Sequence, residues 1–352
     1  MPPAEAFDAA RSVIQFGLSA RAFPAATVEV GRESGPIWRE AFGQLTYDAG
    51  AAACTLDTIF DLASLTKVIA TGPAAMGLVA RGRLTLDRSI GDIFEEWRAP
   101  ALARIQVRHL LDHSSGLPAH ARFWERAMTR ETIRAAIATL PLDREPGGAS
   151  VYSDPGFILL GFVLEKTAGT SLADHVRAMN PGDGEPLLYR PSRDLLDRIA
   201  PTEDDRWRGR VLRGEVHDEN AAVLGGVAAH AGLFGTAGAV GAFARVVLQT
   251  FREETRLGSP ALMRQFAART AVPGSSRALA WDTMRPTSSC GTRMSPTSIG
   301  HTGFTGTSLW IDYERDVYVV LLTNRVHPSR ENNQLAPLRP RFHDAVMDGI
   351  AR

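Results

Sequence analysis

The run Val317–Thr323 is apolar at nearly every position and reads as a central strand buried on both faces. A strand of that kind needs partners on either side. Residues 308–312 supply one from nearby. The other strand-like segments, residues 26–30 and 37–42, lie at the opposite end of the chain, joined by the turn-forming residues 31–35. Between the two ends the periodicity is mostly helical, at residues 121–139, 156–168, 171–179 and 237–250. Residues 4–18 read as an amphipathic helix, and a last helix carrying Phe342, Val346 and Ile350 closes the chain. We therefore expect an α/β fold with one antiparallel sheet from both termini, flanked by helices, and an inserted, mainly helical lobe. Residues 1–352 are expected to form a single domain with two lobes, 1–62 with 270–352 and 63–269, and a cleft where they meet.

Composition excludes more than it identifies. Lys plus Arg and Asp plus Glu both number 39, so the formal charge is zero and gives no reason to expect nucleic acid or an anionic membrane surface as a partner. No run of apolar residues is long enough to span a membrane, and residues 1–8 lack a basic segment followed by an apolar one, so we expect a cytoplasmic protein. Cys54 and Cys290, the only cysteines, are expected to be reduced and buried. Residues 180–235, rich in Gly, Pro and Asp, read as a long irregular substrate-side region, and 270–298 as loop.

The chemistry is concentrated at residues 61–70. There Ser64 precedes Lys67 by three positions at the start of an apolar helical pattern, which puts both on one helix face and sets Ser64 at the positive end of the helix dipole. An isolated S-x-x-K is a weak signal, because a solvated lysine is the ordinary outcome. The use of lysine sharpens it. Of the 39 basic residues only Lys67 and Lys166 are lysines, so 39 − 2 = 37 are arginines. A chain that otherwise uses arginine keeps, one turn from a serine, the cation that can give up a proton. Acting as a neutral base near pH 7 would require a fall of about 2–3 units from its ordinary pKa.

Two further stretches join this pair. Tyr152 and Asp154 form a Tyr-x-Asp before a helix expected from Pro155, where Asp154 alone would read as a helix cap, and His301, Thr302 and Gly303 precede the strand at 308. The order S-x-x-K, Tyr-x-Asp, His-Thr-Gly resembles the serine β-lactamase and penicillin-binding protein superfamily, in its class C β-lactamase-like branch. The resemblance extends through residues 107–117, 145–147, 231–234 and 303–308. It implies a β-lactamase/transpeptidase-like fold with Ser64 as acylated nucleophile and Lys67 and Tyr152 handling its proton. It also implies backbone N–H groups of Ser64 and Phe304 as oxyanion hole, and Asp154, His301, Thr302 and Gly303 against the substrate.

Two positions depart from the β-lactamase pattern: Asp154 replaces an Asn, and His301 replaces a Lys. A histidine near its ordinary pKa of about 6.5 would be a partial cation for a substrate carboxylate, so we expect weak β-lactam hydrolysis at most and a pH limb near that value. Residues 214–220, with 199–203 and 225–234, resemble a subgroup that includes muropeptide-recycling amidases. His217, Asp218 and Glu219 lack a metal-binding spacing, and we expect pocket shaping there, with no metal and no cofactor. The expectation is a cofactor-free serine hydrolase of small ester, amide or muropeptide substrates. General carboxylesterase, D-aminopeptidase and a non-catalytic penicillin-binding-like sensor are the alternatives.

Overall fold

A computed structural model describes residues 4–126, 128–179 and 187–351. Six strands form the main sheet: β1 (Ala25–Arg32), β2 (Gly35–Gly43), β3 (Asp282–Thr283), β4 (Ile299–Gly303), β5 (Thr307–Asp312) and β6 (Val317–Thr323). Their order is β2-β1-β6-β5-β4-β3, antiparallel throughout, so β6 lies between the two ends of the chain. Val28 pairs with Leu321 on one side of β6 and Trp310 with Val319 on the other. All of β6 is buried, as its apolar run requires.

Alternate residues of the sheet serve two cores. Val28, Val319, Leu321 and Trp310 pack with helices α1 (Asp8–Ser19) and, at the end of the chain, Leu335–Ile350. Val320, Leu322, Leu309 and Ile311 face the larger core, which contains α2 (Lys67–Ala80), α3 (Asp154–Ala168) and α4 (Ala237–Thr250). The closing helix Leu335–Ile350 is α5. Both cysteines are buried thiols, and burial pushes Cys54 up to about 11.

Three departures from the sequence reading bear on the site. His301, Thr302 and Gly303, placed only ahead of a strand by the sequence, lie within a strand of their own, β4, which its glycines disguise. A side chain at Gly300 would collide with the indole of Trp310, so this strand needs a residue of low strand propensity. The expected helix 121–139 is only Arg130–Ile137 plus a 3-10 turn at Phe123–Arg126. Residues 180–186, at the start of the irregular region, lie outside the described residues. Among the described residues no single helix is long and apolar enough to cross a membrane.

Candidate active site

The turn before α2 is tied down from three directions. Asp61 accepts the N–H of Ala63 at 2.8 Å and that of His217 at 2.7 Å. Thr305 and Thr307, beyond β4, donate their hydroxyls to the carbonyls of Asp61 and Leu62 at 2.7 and 3.0 Å. Ala63 is thereby held at φ 46°, a left-handed conformation that costs a non-glycine residue about 1–3 kcal/mol and persists only where its surroundings impose it. Ser64 follows directly. Gly303 passes so close that an added Cβ would lie 2.6 Å from the Leu62 carbonyl, so only glycine fits. Neither the N–H of Ser64 nor that of Phe304 meets a protein acceptor among the described residues, leaving two main-chain donors beside one hydroxyl.

Lys67 opens α2 within a π-helical turn, Lys67–Thr71, and is wholly buried. Its ammonium has three protons and meets three acceptors: Ser64 Oγ at 3.1 Å, Asp154 Oδ1 at 2.8 Å and the His230 carbonyl at 3.0 Å. Tyr152 Oη donates to Ser64 Oγ at 2.8 Å. The phenol is aimed by His113, whose ring packs 4.5 Å from it and whose Nδ1 accepts the Ser153 N–H at 3.0 Å. Ser153, not Asp154, caps α3 by accepting the Gly156 N–H at 3.1 Å. The Asp154 carboxylate is therefore free to turn inward to Lys67.

These contacts set the charge state of the group. Burial by itself would push the Lys67 ammonium toward deprotonation, but the Asp154 carboxylate and the Tyr152 phenol outweigh it and hold the pKa above its ordinary value. For Asp154, burial opposes ionisation, yet Lys67 and the bond from His120 keep its pKa well below the usual carboxylate range. Burial raises Tyr152 against the opposing pull of Lys67. At neutral pH the resting trio is thus ammonium, carboxylate and neutral phenol. Lys67 therefore rests as an ammonium, without the fall in pKa that a neutral base would require.

The expectation for His301 is corrected. The residue is buried on β4, where Nδ1 lies 2.8 Å from the Thr302 carbonyl and Nε2 has no partner among the described residues. Burial, reinforced by Arg277 and Lys67, pushes its pKa down to about 3, so it is a neutral imidazole and supplies no charge to a substrate. The pH limb near 6.5 expected for this residue is therefore withdrawn.

Ser64, Tyr152, Asp154, His301, Thr302, Gly303 and Phe304 all line one cavity of about 540 Å³. Its cations are arginines. Arg277 and Arg330 face carboxylates, at 3.8 Å to Asp282 and 2.7 Å to Glu219. Arg325 bonds main-chain and amide oxygens, including the Phe304 carbonyl at 2.8 Å, while Arg339 Nε has no partner among the described residues. The sequence reading missed these four because they are a few among 37 arginines and no local pattern marks them. His113 and His120 were missed as well, although the His-Ser-Ser-Gly turn at 113–116 gave a signal. His217, Asp218 and Glu219 do not converge. They bond Glu203 at 2.9 Å, His230 at 2.7 Å and Arg330 at 2.7 Å.

A serine hydroxyl between an ammonium and a phenol, beside two free N–H donors, has the parts of an acyl-transfer site. Comparison with known proteins agrees. The Beta-lactamase family profile matches residues 10–341. A putative D-alanyl-D-alanine carboxypeptidase of Escherichia coli K12 is 28% identical, over 90% of this chain and 81% of that protein. An N-acetylmuramyl-L-alanine amidase of Bacillus subtilis 168 is 30% identical, over 88% of this chain and 78% of the other. Among solved structures, EstCE1, a hydrolase with promiscuous acyltransferase activity, superposes with a TM-score of 0.77 at 20% identity, covering 97% of this chain and 98% of its own, a likeness of fold. With the family profile spanning nearly the whole chain and the Ser64–Lys67–Tyr152 cluster inside it, this protein belongs to the β-lactamase family and is a serine hydrolase of that family.

Proposed function

We propose that the protein is an amidase that releases peptide from N-acetylmuramic acid through an acyl-enzyme on Ser64. The observation that carries the chemistry is the chain Ser64 Oγ, Lys67 Nζ, Asp154 Oδ1, with successive separations of 3.1 and 2.8 Å. Lys67 is held charged, so it takes the Ser64 proton only as it passes one of its own to Asp154. Ser64 Oγ then attacks the lactyl carbonyl, whose oxygen is received by the N–H groups of Ser64 and Phe304. The C–N bond breaks and the departing amine takes a proton from Lys67, which recovers one from Asp154. Water then cleaves the ester by the same route in reverse and restores the Ser64 hydroxyl. Tyr152 remains a phenol throughout and orients Oγ.

The substrate assignment draws on the Bacillus relative and on the cavity, whose Arg325 and Arg339 suit the carboxylates of a short acidic peptide. A cytoplasmic location belongs to the same proposal. Incubation with MurNAc-L-Ala-D-isoGln, p-nitrophenyl butyrate, a D-amino-acid amide, a D-Ala-D-Ala peptide and nitrocefin, compared by kcat/KM, tests the assignment. Release of free MurNAc well above the other rates is expected. Turnover of the butyrate alone would replace the reading with a general carboxylesterase, and D-alanine release would favour the activity named for the Escherichia coli relative.

A further inference from the structure

Two tryptophans outside the lining of the cavity have no part in the chemistry above. Trp124 and Trp207 meet at a centroid distance of 5.3 Å with their planes 57° apart. Trp207 is 42% exposed, a large area for an apolar side chain whose backbone is anchored. Its main-chain N–H bonds Asp205 at 3.0 Å, and the adjacent Arg208 donates to the carbonyls of Val216 and His217 at 2.7 Å each. Trp124 is fixed through Phe123, whose N–H bonds Asn220 Oδ1 at 3.1 Å, while Asn220 Nδ2 bonds the Ala121 carbonyl at 2.8 Å. The segments that carry the two indoles are thus tied to the stretch 217–220, of which His217, Asp218 and Glu219 line the cavity. The elements that hold them are the hairpin pairing Asp204–Asp205 with Arg210–Val211 and the turn Phe123–Arg126.

We propose that Trp124 and Trp207 form a saccharide subsite that holds the pyranose ring of the substrate's acyl portion. A sugar presents an apolar C–H face and a polar edge, and it needs a rigid aromatic plane beside hydrogen-bonding groups. The shelf offers both. Neither indole N–H has a protein acceptor among the described residues, and His120, which lines the cavity, has a side chain that is 74% exposed. Arg208 lies over the Trp207 ring at 5.2 Å, and Arg206 next to it is exposed. An acyl chain or an apolar protein face would bring the Arg206 charge against hydrocarbon, whereas sugar hydroxyls bond it; the Arg208 guanidinium is already held by Asp205, Val216 and His217.

The identity of the sugar rests on the amidase reading, but saccharide binding does not. The test therefore uses the full chain carrying Ser64→Ala, which performs no chemistry. Its indole fluorescence is titrated with N-acetylmuramic acid, with MurNAc-L-Ala-D-isoGln and with octanoate, and circular dichroism confirms folding of every variant. We expect saturable quenching by both saccharides and not by octanoate. Adding Trp207→Ala should weaken it about tenfold, the scale of one aromatic contact, while Trp207→Phe retains most of the affinity. Quenching by octanoate alone, or saccharide affinity unaltered by Trp207→Ala, overturns the subsite. If saccharide binds as expected but the wild-type chain does not cleave the amide, the amidase reading fails and the subsite stands.

Discussion

Two of the buried charge clusters of the protein, that of Glu29 and that of Lys67, differ in that the second opens on the cavity. Glu29, wholly buried on β1, accepts from Arg39 at 2.6 Å, Arg245 at 3.0 Å and the Tyr318 hydroxyl at 2.6 Å, while Arg245 also donates to Tyr318. Gly241 on α4 packs against its carboxyl, where a Cβ would lie 2.6 Å from Cδ. That cluster is closed on itself and joins β1, β2, β6 and α4. Lys67 and Asp154 are buried to a similar degree, but their third member is a serine hydroxyl that lines the cavity, preceded by a strained Ala63. Buried charge alone therefore does not mark a functional site. What distinguishes one is a reactive group left facing open space at the end of a saturated network.

Ser64→Ala should separate the two most completely. Loss of the nucleophile is expected to lower kcat/KM by at least about 10³-fold, with the unfolding free energy unchanged within about 1 kcal/mol, because a small polar side chain at the cavity edge is removed. Covalent labelling by a fluorophosphonate, read by intact mass, should disappear with it. Labelling that survives the substitution would remove Ser64 from the account. Glu29→Gln should do the opposite. Breaking one partner of a buried, charged cluster is expected to cost about 3–5 kcal/mol in a urea melt, while activity per folded molecule persists. A loss of activity without a loss of stability would erase the comparison.

A smaller effect concerns pH and stability. Burial, with Arg339 nearby, pushes His343 down to about 3, as it does His301. Unfolded histidine titrates near 6.5, so between about 3 and 6.5 the unfolded chain binds more protons and stability rises with pH. This contribution is full above pH 6.5 and is lost as pH falls toward 3, at about 1.4 kcal/mol per pH unit for each residue. Urea midpoints from pH 4 to 7 should show that slope, flattened by His343→Gln. An unaltered slope in the variant would assign the effect elsewhere.

Much of this was legible in the chain because it is written locally. The apolar run of β6, the hairpin β1–β2 and the Ser64–Lys67 spacing each depend on residues within a few positions of one another. What was hidden depends on contacts across the sequence. Lys67 and Asp154 are 87 positions apart, and no pattern in either segment states that the carboxylate pins the ammonium. The charge state of His301 follows from burial by β4 and from Arg277, neither visible in a His-Thr-Gly motif. β4 itself escaped because close packing against Trp310 favours glycine, which reads as a turn.

The claim that Asp154 receives the proton that Lys67 passes on is tested most directly by the pH dependence of acylation in the wild-type chain and in Asp154→Asn. Acylation by p-nitrophenyl butyrate, followed by its burst, requires Asp154 as carboxylate, and since its pKa is held well below the usual range, the wild-type rate should persist through pH 5. Without the carboxylate, the Lys67 ammonium must lose its proton before it can accept one from Ser64. The acid limb should then move up to the lysine's own pKa, and the rate at pH 7 should fall by about 100-fold. Superimposable profiles for the two proteins would contradict the relay and leave Asp154 with a purely structural bond to Lys67.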